Sequence, residues 1–159
     1  MSNQIRFAGP DDAAIILGFV RELAEYERAP DAVEATESDY RRQLAMTPAP
    51  FECLLIEDEG APAGMALFFH NYSTWKGKRG LWLEDLYVRP DHRGRGLGGK
   101  LMRRLAQIAL ERDCARMEWW VLDWNEPALE VYRHLGAKPQ SDWTVYRLTS
   151  DALVRVATK

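Results

Sequence analysis

At 159 residues, 47% hydrophobic and 28% charged, the chain has the size and composition of one globular domain spanning 1–159. No apolar run approaches the ~20 residues of a membrane span, and a net charge of −3 argues against a nucleic-acid partner. Cys53, Cys114 and three scattered histidines show no metal-ligand or redox spacing, and no secretory h-region opens the chain. No metal site is therefore expected, and the thiols are expected to stay reduced in the cytoplasm.

Residues 4–8 read as a short strand. Pro10 then opens a helix in which Ile16, Phe19, Val20 and Leu23 share one face. Thr36 followed by Asp39 resembles a capping box before a second, short helix that Pro48 stops. Residues 51–57 and 63–70 are apolar runs around Asp58-Glu59-Gly60, a hairpin signal. Residues 81–88 form the next strand. Leu97, Leu101, Leu105 and Ile108 then mark a helix stripe, and residues 117–122 another strand. Asn125 caps a helix that carries Leu129, Tyr132 and Leu135 and ends at Gly136. Residues 143–148 are expected to close the sheet before a tail helix. The order βααβββαβαβ is that of a mixed α/β fold round one sheet.

Charge is unevenly spread. Eleven acids face three arginines between Glu22 and Glu59, whereas six basic residues face one acid between Arg89 and Arg104. The first region could attract a cation and the second a polyanion.

The basic region contains Arg93, Gly94, Arg95, Gly96, Leu97, Gly98, Gly99 and Lys100 between a strand and a helix. Glycines there let backbone N–H groups approach an anion from a helix N-terminus. Gly94-x-Gly96-x-x-Gly99 spells a dinucleotide fingerprint, but five polar residues separate it from the strand, where that fingerprint turns directly out of one. Gly94 to Lys100 spells most of a nucleotide P-loop, but Leu101 has no hydroxyl for magnesium. The context fits a third spacing, Arg93-x-x-Gly96-x-Gly98, better.

Glu84 and Asp85 are adjacent acids inside an apolar strand. Strand geometry sends them to opposite faces, and each needs a partner, a water or a cation if buried. One ion pair to a nearby arginine would satisfy such an acid; proton acceptance from an amine is the alternative. A lysine-like amine with pKa near ~10.4 costs roughly 4–5 kcal/mol to deprotonate at neutral pH, so a base has work to do there.

With the element order, these residues resemble the GCN5-related N-acetyltransferase (GNAT) family. The resemblance sharpens in Leu83-Glu84-Asp85-Leu86-Tyr87-Val88, Asp91-His92-Arg93-Gly94, Trp124-Asn125-Glu126-Pro127, Tyr132 and Leu135-Gly136-Ala137, which are similar to the diamine acetyltransferases. Glu22-Leu23-Ala24-x-Tyr26-Glu27 matches too, so nearly the whole chain is covered. The resemblance implies a mainly antiparallel sheet flanked by helices, with a bulged central strand splayed from its neighbour. It implies acetyl-CoA as acetyl donor, a small-molecule amine as acceptor, and a homodimer, with neither membrane nor nucleic acid as partner.

For acetyl-CoA the resemblance implies contacts from Leu86, Tyr87 and Val88, from Arg93 through Gly99, and from Asn125, Glu126, Pro127 and Ala128. For the amine it implies Tyr26, Glu27, Glu84, Asp85, Glu118, Trp119 and Trp120, with Glu84 as base and Tyr132 as acid to the leaving thiolate. Trp75, in the loop before the middle strand, is a further candidate at the mouth. Neither cysteine lies in a nucleophile motif, so direct transfer is expected. Polyamine enzymes of the family carry paired acids where this chain has Trp143-Thr144, which favours a shorter or less charged amine over spermidine. A non-catalytic acyl-CoA-binding regulator and an enzyme acting on a protein amine are the alternatives. Glu84 and Tyr132 speak against the regulator.

Overall fold

The computed structural model describes residues 2–159, which form two compact units, one ending at Trp120 and one running from Val121 to Lys159. In the first, strand β1 (Asn3–Phe7) leads through a 3-10 turn at Pro10–Asp12 into helix α1 (Ala13–Tyr26) and helix α2 (Glu37–Leu44). Strands β2 (Glu52–Asp58), β3 (Ala61–Phe69), β4 (Tyr72–Ser73), β5 (Lys78–Arg79) and β6 (Leu81–Val88) follow, then helix α3 (Leu97–Glu111) and strand β7 (Met117–Glu118). The main sheet has the order β1-β2-β3-β6-β7, antiparallel except for the β6–β7 pair, and β4 and β5 form a separate hairpin.

Local chemistry explains the elements. Thr36 Oγ1 accepts from the Asp39 N–H at 3.2 Å while the Asp39 carboxylate accepts from the Thr36 N–H at 2.8 Å, the reciprocal box expected from the spacing. Glu59 and Gly60 both have positive φ, 53° and 82°, as a two-residue turn between antiparallel strands requires. Leu97, Leu101, Leu105 and Ile108 line the buried face of α3, and Ile16, Phe19 and Leu23 that of α1.

These faces make two cores, one on each side of the sheet. The α3 side gathers Leu54, Ile56, Ala66, Phe68, Leu81 and Leu83. The α1 side gathers Cys53, Leu55, Met65, Leu67 and Tyr87. A buried leucine of this kind contributes about 1.5–3 kcal/mol by leaving water.

A bulge divides β6. Leu67 pairs with Asp85 and the next residue, Phe68, pairs with Leu83, so Glu84 is the extra residue. Strict alternation would put Leu81, Leu83 and Asp85 on one face. The bulge instead leaves the two leucines in the α3-side core and brings Tyr87 into the α1-side core. It also ends the parallel ladder: β7 pairs only Leu81–Met117 and Trp82–Glu118. Beyond Leu83, β6 has no second strand beside it within the first unit, the splay that the family resemblance implies.

Two sequence expectations are corrected. The strand expected over residues 117–122 stops at Glu118, because β6 turns out of register just past Trp82. Residues 143–148 form no strand; β character depends on a backbone partner, and no ladder includes this segment among the described residues. The second unit holds helix α4 (Glu126–His134), which Gly136 follows at φ 82°, and the tail helix α5 (Ser150–Ala157). No helix among the described residues is long and apolar enough to cross a membrane.

Gly64 lets β3 and β6 approach closely. A Cβ there would collide with the Tyr87 carbonyl oxygen and crowd Val88 Cα at 3.1 Å. Gly64→Ala should therefore destabilise the fold by about 1–3 kcal/mol in urea unfolding, by forced backbone shift. Wild-type stability in the variant would show that β6 yields freely.

Candidate active site

The C-terminal end of α1 and the bulged part of β6 assemble an acidic cluster. Burial, helped by the charges of Glu84 and Glu27, pushes the Asp85 carboxyl up to about 6. Partial desolvation also raises Glu27, the residue that closes α1. Across the same face, Asp85 raises the Tyr40 phenol, although burial of that ring is the larger cause. Among the described residues no arginine or lysine forms an ion pair with Asp85, so the simple ion-pair account of this acid loses its support. A half-buried carboxyl with two acidic neighbours and no cation is arranged to receive one.

Aromatic rings border the cluster. Trp82 Nε1 donates to Glu84 Oε2 at 3.0 Å, and the Trp120 ring stands edge-on to Trp82 at 5.4 Å. Trp82 was not singled out in the sequence, although its i,i+2 spacing from Glu84 on a strand was the available signal. Trp119 packs against the α3-side core instead. Glu118 stands opposite Trp82 in the β6–β7 ladder, its carboxylate accepting from Arg116 Nε at 2.9 Å. Of the acids and tryptophans expected round the amine, the structure thus gathers Glu27, Glu84, Asp85 and Trp120. Trp75 stands exposed between β4 and β5.

In the glycine loop the cationic side chains are bonded to the body of the protein. Arg93 Nε donates to the Val88 carbonyl at 2.9 Å, and its guanidinium lies over Tyr26 and Tyr87 at 5.3 and 5.8 Å from the ring centroids. Arg95 donates to Asp58 at 2.7 Å and Lys100 to Asn3 at 2.6 Å. Arg89 grips Glu22, whose carboxylate also accepts from the Tyr87 hydroxyl. The cationic side chains tie the loop to the body, leaving anion recognition to the backbone. Gly94 and Gly96 have φ 78° and 76°, and a Cβ at Gly94, Gly96 or Gly99 would meet open space. Gly96 caps α3, so the first-turn N–H groups lie free of intrahelical bonds. A diphosphate fits this end on charge and on room.

A family model described as "Acetyltransferase (GNAT) family" matches residues 19–137, most of the chain. The chain belongs to the acetyltransferase (GNAT) family. It is 38% identical to a Bos taurus protein named thialysine N-epsilon-acetyltransferase over 98% of this chain and 97% of that one. A Caenorhabditis elegans protein of the same name is 34% identical, with 93% and 92% covered. An Arabidopsis thaliana protein named L-ornithine N5-acetyltransferase is 29% identical, covering 96% and 87%. Among solved structures, a V. cholerae integron cassette protein superposes with TM-score 0.82 at 24% identity, covering 100% and 99%. AAC(6')-Iy, in complex with a CoA bisubstrate analogue, superposes with TM-score 0.76 at 18% identity, covering 94% and 100%.

The chain is accordingly a GNAT-type acetyltransferase, and acetyl-CoA is its acetyl donor. Cys53 is buried, and that burial drives its thiol far above the ordinary range, which leaves it poorly suited to act as a nucleophile. In the second unit, the Asn125 side chain accepts from the Ala128 N–H at 3.4 Å, Pro127 lies in the first turn of α4, and Tyr132 follows on the same helix. The Glu126 carboxylate accepts from Arg133 at 2.8 Å.

The raised Asp85 has a measurable consequence. A carboxyl whose folded pKa exceeds its unfolded value near ~3.9 binds more protons folded than unfolded. Its stability contribution is therefore present below about pH 4 and is lost as pH rises through about 6. Asp85→Asn should raise the Tm at pH 7.5, by roughly 2–4 °C for each kcal/mol relieved, and should leave it near wild type at pH 4. Equal Tm differences at both pH values would contradict the burial account.

Proposed function

We propose that this enzyme moves the acetyl group of acetyl-CoA directly to the primary amine of a small, lysine-sized or thialysine-like molecule. The acidic cluster of Glu27, Glu84 and Asp85 beside Trp82 and Trp120 carries the reading. It offers carboxylates and aromatic rings to an alkylammonium, and among the described residues no arginine or lysine pairs with Asp85. The relatives named for thialysine support the same amine class.

Acetyl-CoA brings the activated thioester. The backbone N–H groups of Gly94, Arg95, Gly96, Leu97, Gly98 and Gly99 hold its diphosphate, and the open backbone of β6 from Leu86 to Val88 receives its amide-bearing arm. Asn125 to Ala128 are assigned to the donor by their match to the family pattern. Asp85 and Glu27 attract the ammonium. Glu84, exposed on the bulge and oriented by Trp82, takes the proton that makes the amine nucleophilic. Tyr132, by the same match, is the acid that returns a proton to the leaving sulfur, since a phenol keeps its proton at neutral pH. The reading includes a homodimer working in the cytoplasm.

All three cluster acids lie at one end of the reacting amine. A second, distant ammonium loses hydration on entry and gains little attraction in return. Initial-rate measurements with lysine, thialysine, ornithine, spermidine and spermine, at fixed ionic strength, should give the higher kcat/KM for the lysine-sized amines. A strong preference for spermine, or turnover of peptide amines alone, would overturn the assignment.

A further inference from the structure

The glycine loop has an anchor that the catalytic reading does not use. Asp58 ends β2 at the β2–β3 turn, and its side chain is only 4% exposed. Its Oδ2 accepts from Arg95 Nη1 at 2.7 Å and lies 3.0 Å from His92 Nδ1. An ionised carboxylate only accepts, so Nδ1 carries the proton and donates. These bonds hold the carboxyl below its usual range, His92 contributing most. The two donors flank Arg93 and Gly94, and Arg95 immediately precedes Gly96, the residue that caps α3.

A loop with two positive-φ glycines is conformationally free when unanchored. Aligning several N–H groups on one anion requires that this freedom be lost before the ligand arrives. A buried oxygen bonded on both sides of the first glycine removes it, and it does so from a separate hairpin rather than from the loop itself. The pairing also redirects the Arg95 charge from solvent onto a protein carboxylate.

We propose that Asp58 is a positioning residue for acetyl-CoA: through His92 and Arg95 it presets the glycine loop so that the N-terminal N–H groups of α3 receive the diphosphate. This rests on the reading that the loop binds acetyl-CoA. Asp58 touches neither substrate, so its loss weakens donor binding and leaves the chemical step in place.

The test is steady-state kinetics on the full chain, varying acetyl-CoA and amine separately. Asp58→Asn should raise the KM for acetyl-CoA about tenfold, equivalent to about 1.4 kcal/mol. Its kcat and amine KM should stay within about twofold of wild type. Arg95→Gln should raise the same KM, and the double variant should be no worse than the more affected single one, because both remove one interaction. Arg95 and His92 lie nearer the surface, so Arg95→Gln and His92→Phe carry the test if Asp58→Asn fails to fold. Gly96→Asp is the control for the underlying reading. It places a carboxylate at the anion, in a backbone conformation at φ 76° that strains a side-chain-bearing residue, and should raise the acetyl-CoA KM sharply. A raised KM in Gly96→Asp with an unchanged one in Asp58→Asn and Arg95→Gln would overturn the anchor alone. An unchanged KM in Gly96→Asp would overturn the loop reading and the anchor with it. A fall in kcat for Asp58→Asn at unchanged acetyl-CoA KM would also refute the positioning role.

Discussion

One extra residue in β6 sets the geometry of the candidate site. With Glu84 bulged, the strand changes face between Leu83 and Asp85. The leucines before the bulge remain core for α3. The residues after it turn a carboxyl and Tyr87 toward α1. The same irregularity stops the β7 ladder and leaves one backbone edge of β6 open within the first unit. An acid, an opening and an available backbone thus arise from a single departure from regular pairing, a common use of bulges beside active sites.

The two charged regions of the sequence are treated in opposite ways. On the acidic side, Asp85 is partly buried with like charges left close to it, and burial first and those charges second raise it. That arrangement costs stability and is relieved by a cationic ligand. On the basic side, Arg89 is paired with Glu22 and Arg95 with Asp58, while Arg93 and Lys100 are held by the neutral acceptors Val88 and Asn3. What remains for an anion is the end of α3, where the donors are backbone groups fixed in place.

Much of this was legible in the sequence, for stated reasons. Helical periodicity placed α1 and α3, Thr36 with Asp39 placed the start of α2, and the Asp58-Glu59-Gly60 turn placed the β2–β3 hairpin. Strand β6 was bounded correctly because an apolar run ends against Arg89-Pro90. Contacts between segments distant in sequence were not legible. Asp58 read as a turn residue, and only the folded hairpin brings it to His92 and Arg95, more than thirty positions away. Trp119 and Trp120 were indistinguishable as neighbours until the path of the chain past β7 sent one to the core and the other to Trp82. The β-like pattern of residues 143–148 misled for a related reason, since alternation describes a face and does not supply a backbone partner.

In this mechanism the bulge at Glu84 places a proton acceptor beside the amine. The most direct measurement is kcat/KM for a lysine-sized amine in Glu84→Gln, a variant that keeps the side-chain shape and an acceptor for Trp82. The account predicts a loss of about 10²–10⁴-fold, concentrated in kcat, with the KM for acetyl-CoA retained. A variant within about threefold of wild type would show that Glu84 is not the base and that the bulge does not serve catalysis in this way.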